Sequence, residues 1–146
     1  MRILSWMRRI LLLVLILSPV QAKAGNETVP EADSRAIIAV ITAQLRAFRR
    51  ENGPLAFSYA SPGIQEKFGS AQTFMAMVRN GYAAVYRPHA VEFLESRRRG
   101  GITAQAVYFV GPDGRAVIAI YLMERQPDGS WRIDGVSLTP VAQSES

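Results

Sequence analysis

Cysteine is absent from the 146 residues, which rules out disulfides, thiolate metal sites and a cysteine-linked lipid anchor. Histidine occurs once, at His89. A histidine-rich metal centre is therefore excluded and, without thiolates, no zinc site or other metal or cofactor is expected. The G-x-S-x-G, P-loop, G-x-G-x-x-G and H-E-x-x-H patterns are missing as well, and with them the chemistry each would support. No internal repeat or low-complexity tract is present. Even the apolar run Ile10–Leu17 is far shorter than the about 20 residues that cross a bilayer.

That run does have a purpose. Arg2, Arg8 and Arg9 precede it, Ser18-Pro19 breaks it, and small residues follow at Ala22 and Ala24. A basic start, a short apolar centre and an A-x-A-like end make a secretory signal over residues 1–24, with cleavage expected after Ala22 or Ala24. The protein is thus expected to be exported, periplasmic or secreted, with no stable membrane span after processing. The whole chain carries 17 basic and 12 acidic side chains. Four of the basic ones (Arg2, Arg8, Arg9, Lys23) and no acid lie in residues 1–24, leaving 13 against 12, or +1, in the processed chain. The high pI belongs to the signal, and the case for a nucleic-acid partner lapses with it. The processed chain retains enough length for one core without disulfide staples.

Residues 25–33 are polar and contain proline, so they read as a flexible leader. Asn26-Glu27-Thr28 matches a glycosylation pattern that matters only in a eukaryotic host. A single α+β domain is expected over residues 34–140, with a disordered tail over 141–146. Asp33 or Ser34 can cap a first helix. Along it Ile37, Val40, Ile41, Leu45 and Phe48 share one face and Arg35, Arg46, Arg49 and Arg50 the other. The helix is expected to stop near Asn52-Gly53. Gln44 falls seven residues after Ile37, inside the apolar stripe. It must bond to core backbone or face a polar cavity. Short helical turns follow over Pro54–Tyr59 and Ile64–Phe68, and a third helix begins after the cap Ser70 and closes at Asn80-Gly81.

The second half changes period. Strand-like runs cover His89–Arg97, Ile102–Val110, Arg115–Gln126 and Trp131–Leu138. Gly100-Gly101, Pro112-Asp113-Gly114 and Pro127-Asp128-Gly129 supply hairpin turns. Short loops make neighbouring strands antiparallel, so the expectation is a four-stranded meander covered by N-terminal helices. Parity changes between Ile133 and Val136, which marks a bulge near Gly135. Asp134 then points to solvent by its parity. Three arginines, Arg97-Arg98-Arg99, sit at a hairpin tip. They read as a solvated run that also discourages edge pairing, with anionic lipid as the functional alternative.

Ala56-Phe57-Ser58-Tyr59-Ala60-Ser61-Pro62, Ile64, Phe68-Gly69, Phe74, Met77-Val78, Gly81-Tyr82, Val85-Tyr86-Arg87-Pro88 and Asp128-Gly129-Ser130-Trp131-Arg132-Ile133 together resemble a bacterial domain-of-unknown-function family, number 4864. The likeness runs from about Ile37 to Leu138. The Asp-Gly…Trp-Arg-Ile ending also resembles the last strand of nuclear-transport-factor-2-like (cystatin-like) domains. That likeness implies a cone in which a long helix lies in a curved sheet and leaves a pocket. The family brings no activity with it.

Gln44, Tyr82, Tyr86, Arg87 and His89 are the candidate pocket residues. His89 shares parity with Val91 and Phe93, so it is expected to face inward. A tyrosine and a histidine beside an arginine can move protons or hold an anion. No nucleophile or paired carboxylate accompanies them. The leading expectation is a non-catalytic binding or interaction module for a small organic ligand or a protein partner. The alternatives are a small pocket enzyme of isomerase- or hydrolase-like acid–base chemistry using His89 and a tyrosine, and a subunit-interface protein, a homodimer among its forms.

Overall fold

The structure, a computed structural model, describes residues 25–143. The expected signal segment and the last three residues of the expected tail lie outside that range. Five helices precede the main sheet: α1 (Glu31–Arg49), α2 (Gly53–Ser58), α3 (Pro62–Phe68), α4 (Ala71–Gly81) and α5 (Ala83–Tyr86). The strands are β1 (Glu27–Thr28), β2 (Ala90–Arg99), β3 (Ile102–Val110), β4 (Ala116–Arg125) and β5 (Trp131–Pro140). They form one antiparallel sheet in the order β1-β2-β3-β4-β5.

The expected meander is present in β2 to β5, but the sheet has five strands, not four. The extra one comes from the leader: Glu27 pairs with Arg98 and Thr28 with Arg97. An edge strand offers a row of unpaired backbone groups, and the extended leader satisfies two positions of it. The opposite edge is engaged at Ile133. Ser61 N–H donates to the Ile133 carbonyl at 2.8 Å, and Ile133 N–H donates to the Tyr59 carbonyl at 2.9 Å.

Helix α1 begins earlier than its sequence cap suggests. Pro30, not Asp33 or Ser34, occupies the cap position, and no side chain bonds the first turn. Glu31 and Asp33 instead face the positive end of the helix dipole, and Asp33 lies near Arg98 (3.7 Å) and Arg125 (3.5 Å). The other end of α1 stops before the expected glycine. Asn52 N–H reaches the Ala47 carbonyl (2.9 Å) and Glu51 N–H the Phe48 carbonyl (3.1 Å), the pair of bonds of a Schellman stop. The left-handed residue there is Glu51, at φ 54°. Gly53 opens α2 rather than ending α1. A Cβ on it would stand 3.0 Å from Met75 Cγ, so close packing of α2 on α4 explains the glycine. The caps Asn52, Ser61 and Ser70 accept from Leu55, Ile64 and Thr73 N–H at 3.1, 3.2 and 3.1 Å.

The turns obey local chemistry. Gly100 and Gly101 both take positive φ, 55° and 79°, as a two-residue hairpin loop requires. Between β4 and β5, Leu122 pairs with Gly135 and Met123 with Ile133, leaving Asp134 as the extra residue of the bulge. Trp131 and Ile133 before it, and Val136 and Leu138 after it, all pack toward the core. A second irregularity lies in β2 between Phe93 and Ser96. All five helices lie on one face of the sheet. Ile37, Ile41 and Phe48 of α1 meet Val107, Phe109, Ala119, Tyr121 and Ile133 there to form the core.

Candidate functional site

A cavity of about 400 Å³ lies between the C-terminal half of α1, the short helices and β5. Apolar side chains dominate its lining: Phe48, Phe68, Phe74, Met77, Val78 and Val85 among them. The rings are mutually packed. Phe74 sits 6.3 Å from Phe48, 5.1 Å from Phe57 and 5.8 Å from Phe68 between centroids. Ser70 starts α4 in the frame that turns Phe74, Met75 and Val78 inward.

Few polar groups reach the cavity: Gln44, Lys67, Tyr82 and Asp134. Gln44 is buried, and its Nε2 donates to the Ala56 carbonyl at 3.1 Å. Gln44 thus bonds to core backbone, the first of its two expectations, and the cavity wall it joins is mainly apolar rather than polar. The Tyr82 hydroxyl donates to the Val136 carbonyl at 3.0 Å, closing α5 onto β5. Lys67 stands at the mouth, its ammonium 5.7 Å from the Phe68 centroid.

Ser61 and Asp134 are the functional candidates that the sequence did not give away. Ser61 is fully buried. Its Oγ accepts the Ile64 N–H of α3 and donates to Asp134 Oδ1 at 2.6 Å. The two are 73 positions apart. Asp134 is exposed, as its parity implied. The bulge nevertheless swings one carboxylate oxygen onto Ser61, and among the described residues no cation forms an ion pair with it. A carboxylate with one oxygen anchored and the other unpaired, beside an apolar cavity, is suited to a hydrogen-bond donor or a cation.

The other sequence candidates lie elsewhere. Tyr86 and Arg87 do not line the cavity. Helix α5 turns them toward the C-terminus of α1, where the Tyr86 hydroxyl and the Arg87 guanidinium both donate to Glu51 Oε1. Arg79 reaches Glu51 Oε2 at 3.2 Å, and Arg87 Nη1 donates to the Phe48 carbonyl at 2.8 Å. Arg87 also stacks over the Tyr86 ring, 4.1 Å from its centroid. This cluster is a clamp: a cation satisfies a helix-end carbonyl and favours the negative end of the dipole. His89 is exposed and faces neither cavity nor clamp. Alternation holds only inside a ladder, and β2 begins at Ala90, one residue later.

The Tyr86 hydroxyl bond, foremost, and the Arg79 bond hold the Glu51 carboxyl below its ordinary range. A carboxylate depressed in the folded state stabilises above its unfolded pKa, and that contribution is lost as pH falls through the folded value. Glu51→Gln is therefore expected to lower the melting temperature at neutral pH and to flatten its decline below about pH 4.3. Thermal melts of both proteins from neutral to acid pH check this. Parallel curves would remove Glu51 from the acid transition.

Residues 30–146 match the family described as "Domain of unknown function (DUF4864)". No curated protein and no solved structure matches the chain. The match takes in every helix, β2 to β5 and all the residues that line the cavity, so the chain belongs to the DUF4864 family.

Proposed function

We propose that the protein is an exported, non-catalytic binding module whose helix–sheet cavity takes a small apolar molecule ending in a donor group, an amine first among them. Export rests on the basic, apolar and small-residue pattern of residues 1–24. A helix laid across an antiparallel meander, with a cavity at its end, supports the nuclear-transport-factor-2-like cone as the architecture. The observation that carries the binding role is the aromatic-lined cavity of about 400 Å³ with the Ser61–Asp134 pair at its edge.

The chemistry of the lining favours binding over turnover. Ser61 already spends its hydroxyl proton on Asp134, and the one imidazole of the chain stands outside the cavity. Apolar walls hold the body of a ligand and a few fixed polar groups orient it. Asp134 is held by a buried hydroxyl, whereas Lys67 projects on a flexible four-carbon stem and can move aside. Aromatic faces add attraction for a cation.

Decylamine, decanol and decanoate separate these contributions. Decylamine is expected to raise the melting temperature most and decanoate least. Asp134→Asn should erase the advantage of the amine over the alcohol. Ile64→Trp, which fills the cavity from α3, should abolish the response to all three. A protein indifferent to every probe would end this reading.

A further inference from the structure

The opposite face of the sheet is bare. Among the described residues no helix crosses it, and it is strongly apolar. Ala104, Ala106, Tyr108 and Val110 of β3 stand beside Leu122, Ile120, Ile118 and Ala116 of β4, with Leu94 on β2 alongside. Ile102 is 60% exposed, and Leu94 and Leu122 are each 40% exposed. Soluble monomers rarely show contiguous apolar patches of more than a few hundred Å². We propose that two copies of this chain stack through these outer sheet faces, related by a two-fold axis lying across the strands.

Three observations select a second copy as the occupant. The first is that each sheet edge is occupied in part, at Arg97 and Arg98 by β1 on one side and at Ile133 by Tyr59–Ser61 on the other. Strand addition is thereby hindered at those positions, whereas the face is open along its length.

The second is self-complementarity in charge and size. The register places Glu92 in the row of Tyr108 and Ile118, and Arg97 in the row of Ala104 and Leu122. Ala106 and Ile120 lie in the row between them. A two-fold axis across the strands over that middle row sets Glu92 of each copy against Arg97 of the other, an arginine that already holds Glu95 of its own strand at 2.5 Å. It also sets bulky Tyr108 against small Ala104, and Ile118 against Leu122. Such an isologous arrangement uses one patch twice, and the sheets can pack about 10 Å apart, as in a sandwich.

The third is area. Four strands spaced by about 4.8 Å, each with about eight residues rising by about 3.3 Å, give each copy a face on the order of 500 Å². Two such faces bury on the order of 1,000 Å², the lower bound for a specific interface. The result is a dimer of modest affinity that leaves both cavities, on the far faces, open. The proposal is thus independent of ligand binding.

Sedimentation velocity on the protein as processed by its host, across a concentration series, tests it. The wild type is expected to shift from monomer to twice that mass as concentration rises. Ile120→Lys, in the middle row, should remain monomeric with an unchanged circular dichroism spectrum. Glu92→Arg and Arg97→Glu should each weaken association at least tenfold, and the two together should restore it. The charge pair decides the matter even if Ile120→Lys fails to fold. A wild type that stays monomeric up to its solubility limit, or a double swap no better than its single parents, would overturn the proposal.

Discussion

Phe48→Ala is expected to remove about 3–5 kcal/mol of stability, in the range of large-to-small core changes. A domain of this size has only about 5–15 kcal/mol to lose, so the variant should sit near the edge of folding at room temperature. The reason is the number of parts that meet on one ring. Phe48 is 1% exposed and lies in the last turn of α1. It stacks with Phe74 of α4 and tilts against Tyr86 of α5, 6.2 Å between centroids. Its own carbonyl receives Arg87 and the Glu51 amide. Truncation would enlarge a cavity that already exists, so the walls have no neighbour to collapse onto, the condition that raises the cost of a deletion. Urea unfolding measures it. An unfolding free energy within about 1 kcal/mol of wild type would mean that the helices close over the cavity without the ring.

The parts legible in the sequence were those set by local rules. The glycines of both Pro-Asp-Gly turns and of the Gly100-Gly101 turn take positive φ where the sequence placed the turns, and α1 buries the stripe that its periodicity marks out. Gln44 stood out because a polar side chain interrupts that stripe, and it does line the cavity. The losses came where one local rule yields to another. The stop of α1 at Glu51 was hidden because glutamate is a poor signal for a left-handed residue. The bulge near Gly135 was visible and Asp134 is exposed as its parity implied, but the sideways bond of this inserted residue to Ser61 was not legible. His89 fails for a related reason, since it precedes the ladder whose parity it was given. Tyr86 and Arg87 are neighbours of the cavity in sequence but are turned away by α5, a helix of four residues that no cap announces. The contact from Ser61 to Asp134 spans the helical and sheet halves, and no periodicity within either half could reveal it.

A buried polar pair on the inner face of the sheet yields the second large effect, with opposite signs at its two members. Gln105 and Tyr121 lie directly opposite each other on β3 and β4, both fully buried. Gln105 Nε2 donates to the Leu94 carbonyl at 2.9 Å, within the irregular stretch of β2, and to its neighbour's carbonyl, that of Ala106, at 2.8 Å. An irregular strand leaves backbone groups without ladder partners, and the amide supplies one. Gln105→Leu keeps the volume but orphans the Leu94 carbonyl. It should cost about 2–3 kcal/mol, most of it desolvation of an unpaired group. Tyr121 is the reverse case. Among the described residues its hydroxyl has no partner and neither does Gln105 Oε1, and burial pushes the phenol above its ordinary pKa, so it stays protonated. Tyr121→Phe removes a polar atom that gains nothing from the fold, and should stabilise by about 1 kcal/mol. Urea unfolding of the two single variants and the double variant decides between two arrangements. Opposite signs that add to within about 0.5 kcal/mol mean that the two groups act separately. A destabilised Tyr121→Phe would instead mean that a buried water links the hydroxyl to Gln105 Oε1, since a site with two convergent polar atoms can hold one.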